Sequence, residues 1–172
     1  CGKERIHSYK CNPTEEKRHR EEIQAVGWTS KGDAEMTVTF KIDGRPFGKE
    51  RPRCGNGHIY TPSKTRDYER MVRGVYDHTG AGKLTGYINL YVTANYRIPK
   101  GMTKAEREKA VNGTRRPGRP DVDNILKVIA DSLNGYAYDD DSRVILAVGR
   151  KVYCEDGDSV IVQIESTDGR IK

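Results

Sequence analysis

Six aspartates fall between residues 121 and 141 of this 172-residue chain: Asp121, Asp123, Asp131 and the run Asp139-Asp140-Asp141. Carboxylates gathered at one point repel one another unless a cation neutralises them. Clustered hard oxygens suit Mg2+, which keeps several waters and takes few protein ligands, with Mn2+ as a substitute. Asp123, Lys127 and Asp131 follow at i, i+4 and i+8, so they line one side of any helix that carries them. Such a set fits the attack of water on a phosphodiester. A metal activates the water and, with a lysine, stabilises the charge that develops on the phosphoryl oxygens. The number of metals is open. Each piece also has a plainer reading: Asp121 as a helix cap, Asp123 with Lys127 as a surface ion pair of small value, Asp139 to Asp141 as a polar turn. For Asp131 the plainer reading is preferred, as a partner of Lys127 or of the loop backbone. The plain readings leave the setting unexplained, because these acids directly follow a basic loop in a chain of net charge +6.

The elements that must position these residues can be read from hydrophobic period. Val122, Ile125, Leu126, Ile129, Ala130 and Leu133 recur at helical spacing, and Asn134-Gly135 is a stop signal. A helix from Asp121 onward follows. Met36, Val38, Phe40 and Ile42 alternate with polar residues, as do Ile88, Leu90, Val92 and Ala94 within a longer strand from Leu84 to Ile98. Thr61-Pro62 predicts the start of a second helix reaching towards His78, with Tyr68, Met71, Val72 and Val75 on its apolar side. Residues 103–112 predict a short helix, and 113–120 a loop. Val144, Leu146 and Val148 begin a strand, Asp156-Gly157 turns the chain, and Val160, Val162 and Ile164 return. That pair reads as a hairpin. The expected fold is α+β: a single domain with helices packed on one face of a mixed or mainly antiparallel sheet. Residues 1–34 stand apart as a polar extension with a helix capped by Asn12, and residues 35–172 form the domain. His7, Cys11 and His19 fit no zinc spacing.

Bulk properties narrow the function. Charged residues are 33% and hydrophobic ones 34%, with a pI near 9.1, as expected of a protein that meets a polyanion. The cysteines at 1, 11, 54 and 154 form no close pair and read as reduced thiols of a cytoplasmic protein. No membrane-length apolar run and no signal peptide is seen. The absence of a P-loop or GxGxxG argues against a nucleotide cofactor. Two basic stretches, Lys49, Arg51 and Arg53 around Pro52 and then Arg115, Arg116 and Arg119, are expected to meet DNA phosphates.

Pro120-Asp121-Val122-Asp123-Asn124, Lys127, Asp131, Asn134-Gly135 and Asp140-Asp141, together with Gly48-Lys49-Glu50-Arg51-Pro52-Arg53 and Tyr60-Thr61-Pro62, resemble the signature of the RusA-type Holliday junction resolvases. The resemblance spans roughly residues 35–166. It implies a homodimer that cuts four-way DNA junctions symmetrically with Mg2+, in DNA recombination and repair, in a bacterial or phage-encoded setting. It implies Asp121, Asp123 and Asp141 as catalytic metal ligands, with Asp140 as the alternative third acid, Lys127 as the essential lysine, and Asn124 and Asp131 in support. Arg143 stands where such sequences more usually carry an uncharged polar residue. A two-fold dimer suits a junction with two equivalent strands, its surface supplied by the 144–164 hairpin or the 84–98 strand. Two other readings are a non-catalytic DNA-binding protein with a structural cation site and a hydrolase of a smaller phosphate ester. The basic loops argue against the latter.

Overall fold

The computed structural model describes residues 27–30, 36–55 and 58–168. The helix expected after Asn12 and the His7, Cys11 and His19 group lie outside them. Among the described residues are seven strands: β1 (Gly27–Ser30), β2 (Met36–Asp43), β3 (Arg53–Gly55), β4 (His58–Tyr60), β5 (Tyr87–Arg97), β6 (Val144–Cys154) and β7 (Ser159–Thr167). Three α-helices, α1 (Ser63–Asp77), α2 (Lys104–Val111) and α3 (Val122–Leu133), and a 3-10 turn at Asp141–Arg143 are the other elements of the described residues.

The main sheet runs β1-β2-β7-β5-β6, while β3 and β4 make a small separate ribbon. All neighbours in the main sheet are antiparallel except β5 and β6, so the architecture is α+β with a mixed sheet. Alternation decides which face is covered. Val38, Phe40 and Ile42 of β2, Ile88, Leu90, Val92 and Ala94 of β5, and Val160, Val162 and Ile164 of β7 are all buried. They pack with Val72 and Tyr76 of α1 and Ile125, Val128, Ile129 and Leu133 of α3 in one core. Phe40 meets Tyr76 edge-to-face at 5.7 Å between ring centroids. Arg73 of α1 donates to the Ser132 carbonyl at 2.8 Å, tying the two helices at the end of α3.

The hairpin expected over 144–164 does not form. The turn at Asp156-Gly157 is present, with Gly157 at φ 116°, but β5 lies between the two strands that the turn joins. β5 and β7 pair from Tyr87 to Asn95, and β6 pairs with the other edge of β5 in parallel. A long alternating strand with two free edges outcompetes direct pairing of its neighbours, a choice that local turn signals do not reveal. Three smaller differences occur. Gly27–Ser30, set apart with the polar extension, pairs with β2. The α1 helix takes Pro62 as its cap, with no side-chain cap bond. Met71 is exposed, and Tyr76 takes the core position on that helix.

Parallel neighbours cannot be joined by a tight turn. The chain therefore leaves β5, forms α2 and the arginine-rich loop, crosses the sheet as α3 and returns as β6. All six aspartates of the 121–141 segment lie on this crossover. Gly149 of β6 lets α3 settle onto the sheet. A Cβ there would lie 2.7 Å from Val122 Cγ2 and 2.8 Å from Leu126 Cδ1, closer than carbon atoms pack.

Candidate active site

The site is built around the first turn of α3. Asp121 occupies the cap position with extended backbone (φ −71°, ψ 151°), yet its carboxylate makes no capping bond. A side chain that leaves its own helix unsatisfied is available to something else. Asp123, two residues on, lies in the first turn, where the helix dipole favours negative charge. Both are exposed.

Two contacts fix the backbone that carries these acids. Lys151 of β6 donates to the carbonyls of Gly118 and Pro120, holding the end of the arginine loop against the sheet. From the other side, the 45–50 loop lies along the helix start, with the Lys49 amide donating to the Asn124 carbonyl at 2.9 Å. Gly48 makes that approach possible, since a Cβ there would stand 2.6 Å from Pro120 Cβ. Phe47 anchors the loop on Tyr68 of α1, with ring centroids 5.1 Å apart. The Asn124 backbone thus holds this loop against the helix start.

The Lys49 side chain turns inward. Its ammonium bonds Asp131 and lies 3.2 Å from Glu69, with about a fifth of the side chain exposed. Burial alone would lower its pKa, but hydrogen bonds to Asp131 and Glu69, and then their charges, outweigh this and raise it above the ordinary lysine value. Lys49, expected on DNA, is an internal cation joining α1, α3 and the basic loop. Asp131 is thus engaged by Lys49, with Lys127 also 3.7 Å away. Lys127 itself is 65% exposed on the side chain and remains open to a ligand.

Asp141 heads the 3-10 turn, and Asp140 caps that turn by accepting from the Ser142 amide at 2.9 Å. The Ser142 hydrogen bonds hold the Asp140 carboxyl below its usual range, so this acid already has an occupation. Tyr138 is buried and donates to the Ala130 carbonyl at 2.9 Å. Burial pushes its pKa up, and the charges of Asp141 and Asp131 push it further. Asp139 pairs with Lys83 at 3.1 Å. Among the described residues, no group of three or more His, Cys, Asp or Glu side chains is set to hold a metal ion. The structure therefore does not bring Asp121, Asp123 and Asp141 into one cluster.

Basic residues surround the helix start unequally. Arg119 and Arg45 border an open groove that also takes in Pro120, Asp121 and Asn124. Glu50 lines the same groove; one of its carboxylate oxygens is buried without a partner, and the other lies 3.9 Å from Arg53. Arg115 pairs with Glu106, itself half of a capping box with Thr103 at the start of α2. That pairing, followed by the Thr103 bonds, lowers the Glu106 pKa. Arg51, Arg53 and Arg116 are exposed. The sequence assigns no site role to Arg45, Glu50 or Lys151, and Glu50 lies within a string of basic character. Gly149 did carry a signal, as a lone glycine inside a strand pattern marks close backbone approach.

An α+β domain with free acids at a helix start, beside an arginine-bordered groove, agrees in class with what comparison finds: the family model described as endodeoxyribonuclease RusA matches residues 43–165. The chain belongs to the RusA endodeoxyribonuclease family. It is also 33% identical over 127 residues to the uncharacterized protein YqaN of Bacillus subtilis (strain 168), covering 69% of this chain and 89% of that protein.

Proposed function

We propose that this protein is a dimeric, Mg2+-dependent endonuclease that resolves four-way DNA junctions by paired symmetric nicks, in cytoplasmic DNA recombination and repair. The observation that carries the reading is the freedom of Asp121. In a chain of this family, it sits at a helix start without capping it and opens on a groove bordered by Arg45 and Arg119.

The donor set fits a hard divalent cation, since Asp121 and Asp123 offer carboxylate oxygens that no group among the described residues takes. Asp121, Asp123 and Asp141 would hold the metal, and Asp141 is preferred to Asp140 because Asp140 already caps the turn. The bound ion would lower the pKa of a water and stabilise phosphoryl charge. The protein's own groups do the rest. Lys127, exposed on the acidic side of α3, supplies a positive contact to the scissile phosphate. Arg119 and Arg45 hold the strand along the groove, with Arg51, Arg53, Arg115 and Arg116 on flanking phosphates. Such contacts give affinity and register, not base reading.

The second copy pairs through β6. This edge strand exposes Ile145, Leu146 and Val148 at 42–49%, an apolar row beside unpaired backbone that ordinarily invites another strand. A two-fold pairing of this kind presents two equivalent sites to two equivalent strands.

The test uses a synthetic four-way junction, a linear duplex and a free nucleotide, each with Mg2+ or with chelator. Paired nicks on the junction are expected, abolished in Asp123→Asn while junction binding survives. Junction binding by the intact protein without metal-dependent cutting would instead identify a DNA-binding protein.

A further inference from the structure

Lys49 and Lys127 share one acceptor. Both address Asp131 Oδ2: the Lys49 ammonium bonds it, while that of Lys127 stands 3.7 Å away. Hydrogen bonds from ammonium to carboxylate span about 2.7–2.9 Å, so Lys127 is near this oxygen but not held by it. The two lysines come from different places. Lys127 rises from α3 itself, one turn before Asp131. Lys49 arrives on the 45–50 loop, with its amide on the Asn124 carbonyl at 2.9 Å and its ammonium divided between Asp131 and Glu69 of α1. Its two anchors on α3, Asn124 and Asp131, fall on either side of Lys127 in the chain.

This arrangement is a competition that Lys49 wins. The group holds two acids, Glu69 and Asp131, and two cations, Lys49 and Lys127, so its charges balance. Among the described residues, no other cation forms an ion pair with either acid. Take Lys49 away, and two partly buried carboxylates are left with Lys127 as the nearest cation. An uncompensated charge of this kind is costly, and pairing relieves it. The Lys127 stem is flexible and its ammonium carries three rotatable donors, so little movement would close the gap to Asp131. A lysine that precedes its acid by four residues is the weaker order for a helical pair. With Lys49 in place, Asp131 is already satisfied, and Lys127 gains little by turning towards it.

We propose that Lys49 is a positioning residue for strand cleavage: by occupying Asp131 it keeps the Lys127 ammonium free to meet the scissile phosphate. The inference rests on the reading of Lys127 as the lysine that contacts that phosphate. It gives the internal cation a task beyond joining α1, α3 and the basic loop. Lys49 touches no substrate. It acts through Asp131, by closing the one acceptor on which Lys127 would otherwise come to rest.

The experiment compares the parent with Lys49→Met and with two double variants, Lys49→Met/Glu69→Gln and Lys49→Met/Asp131→Asn. Each double variant keeps one bare carboxylate, so urea unfolding should place the two at similar stability. Only the second removes the competitor for Lys127. Single-turnover cleavage of a four-way junction with Mg2+ is measured beside junction affinity with chelator. Lys49→Met and Lys49→Met/Glu69→Gln should cut about tenfold more slowly than the parent, the hold of one hydrogen bond between charged groups, with affinity little changed. Lys49→Met/Asp131→Asn should recover most of the parent rate. A purely structural Lys49 predicts equal rates in the two double variants, and that result would overturn the assignment. Lysine side-chain NMR, without metal or DNA, reads the same competition directly, with the Lys127 signal identified by its loss in Lys127→Arg. That side chain should be mobile in the parent, stiffen in Lys49→Met/Glu69→Gln and be mobile again in Lys49→Met/Asp131→Asn. Equal mobility in the two double variants would also overturn the positioning role, leaving the nuclease reading intact. A parent that binds the junction and cuts it under no metal condition would overturn both.

Discussion

Replacing Lys49 by methionine separates an internal cation from a DNA contact. Methionine keeps the unbranched stem and its packing but removes the charge. Glu69 and Asp131, with side chains 16% and 25% exposed, would then face each other across the gap without their shared cation. Breaking a fully buried ion pair costs about 3–5 kcal/mol, whereas an exposed pair is worth ~0–1 kcal/mol. Partial exposure places this cluster between those limits, at about 2 kcal/mol. With urea slopes of ~1–3 kcal/mol/M, the unfolding midpoint should fall by about 1 M. Adding Glu69→Gln and Asp131→Asn should recover most of the loss, since no bare carboxylate remains. The pH dependence follows from the raised pKa. Lys49 stabilises the fold fully below its unfolded value near 10.5, and the contribution is lost as pH rises through the higher folded value. The gap between parent and Lys49→Met should therefore be constant at neutral pH and close only in strong alkali. An unchanged urea midpoint in Lys49→Met, with a junction-binding salt slope lower by one, would refute the reasoning and return Lys49 to the DNA.

Two further substitutions probe the helix that carries the acids. Gly149→Ala sets a methyl group against Val122 and Leu126; overpacking of about 1–3 kcal/mol, less ~0.4–1 kcal/mol gained by stiffening the unfolded chain, gives a net loss of about 1–2 kcal/mol in denaturant unfolding. Leu126→Ala in the same chain should relieve part of it, and a Gly149→Ala protein more stable than the parent would show that the helix yields freely. Lys127→Ala should reduce junction cleavage by at least tenfold while changing affinity little, because its pairing with Asp131 is exposed and weak; equal loss of both in parallel cleavage and binding assays would make it an anchor only.

What the sequence revealed depended on how local the deciding interaction was. The α3 helix, β2 and β5 declared themselves through period, because each buries one face against the same core. The 144–164 hairpin was misread for a reason of the same kind: its turn chemistry is real, but the partner of β6 was chosen by β5, some fifty residues upstream. The string around Lys49 reads as basic and DNA-facing, and most of it is exposed. Only the arrival of Glu69 and Asp131 from two different helices turns one member inward, and no spacing in the chain announces that meeting. Tyr96 shows the opposite limit. It extends the buried alternation of β5 past the four residues the sequence marks, while the absence of a described partner for its hydroxyl is a property of the packed structure alone.

The position of β7 has a consequence for synthesis. It is the final strand described, yet it lies between β2 and β5, so the two halves of the sheet meet only through it. While β7 is still in the ribosome, β2 and β5 have no common neighbour, and α3 has only part of the surface it will cover. Synthesis proceeds at about 5–20 residues per second, so for several seconds after α3 emerges the acidic helix start lacks its finished support. A messenger cut short before residue 159 would yield a product without the centre of its sheet. A copy lacking β7 thus lacks the strand that joins β2 to β5 behind the acidic helix start.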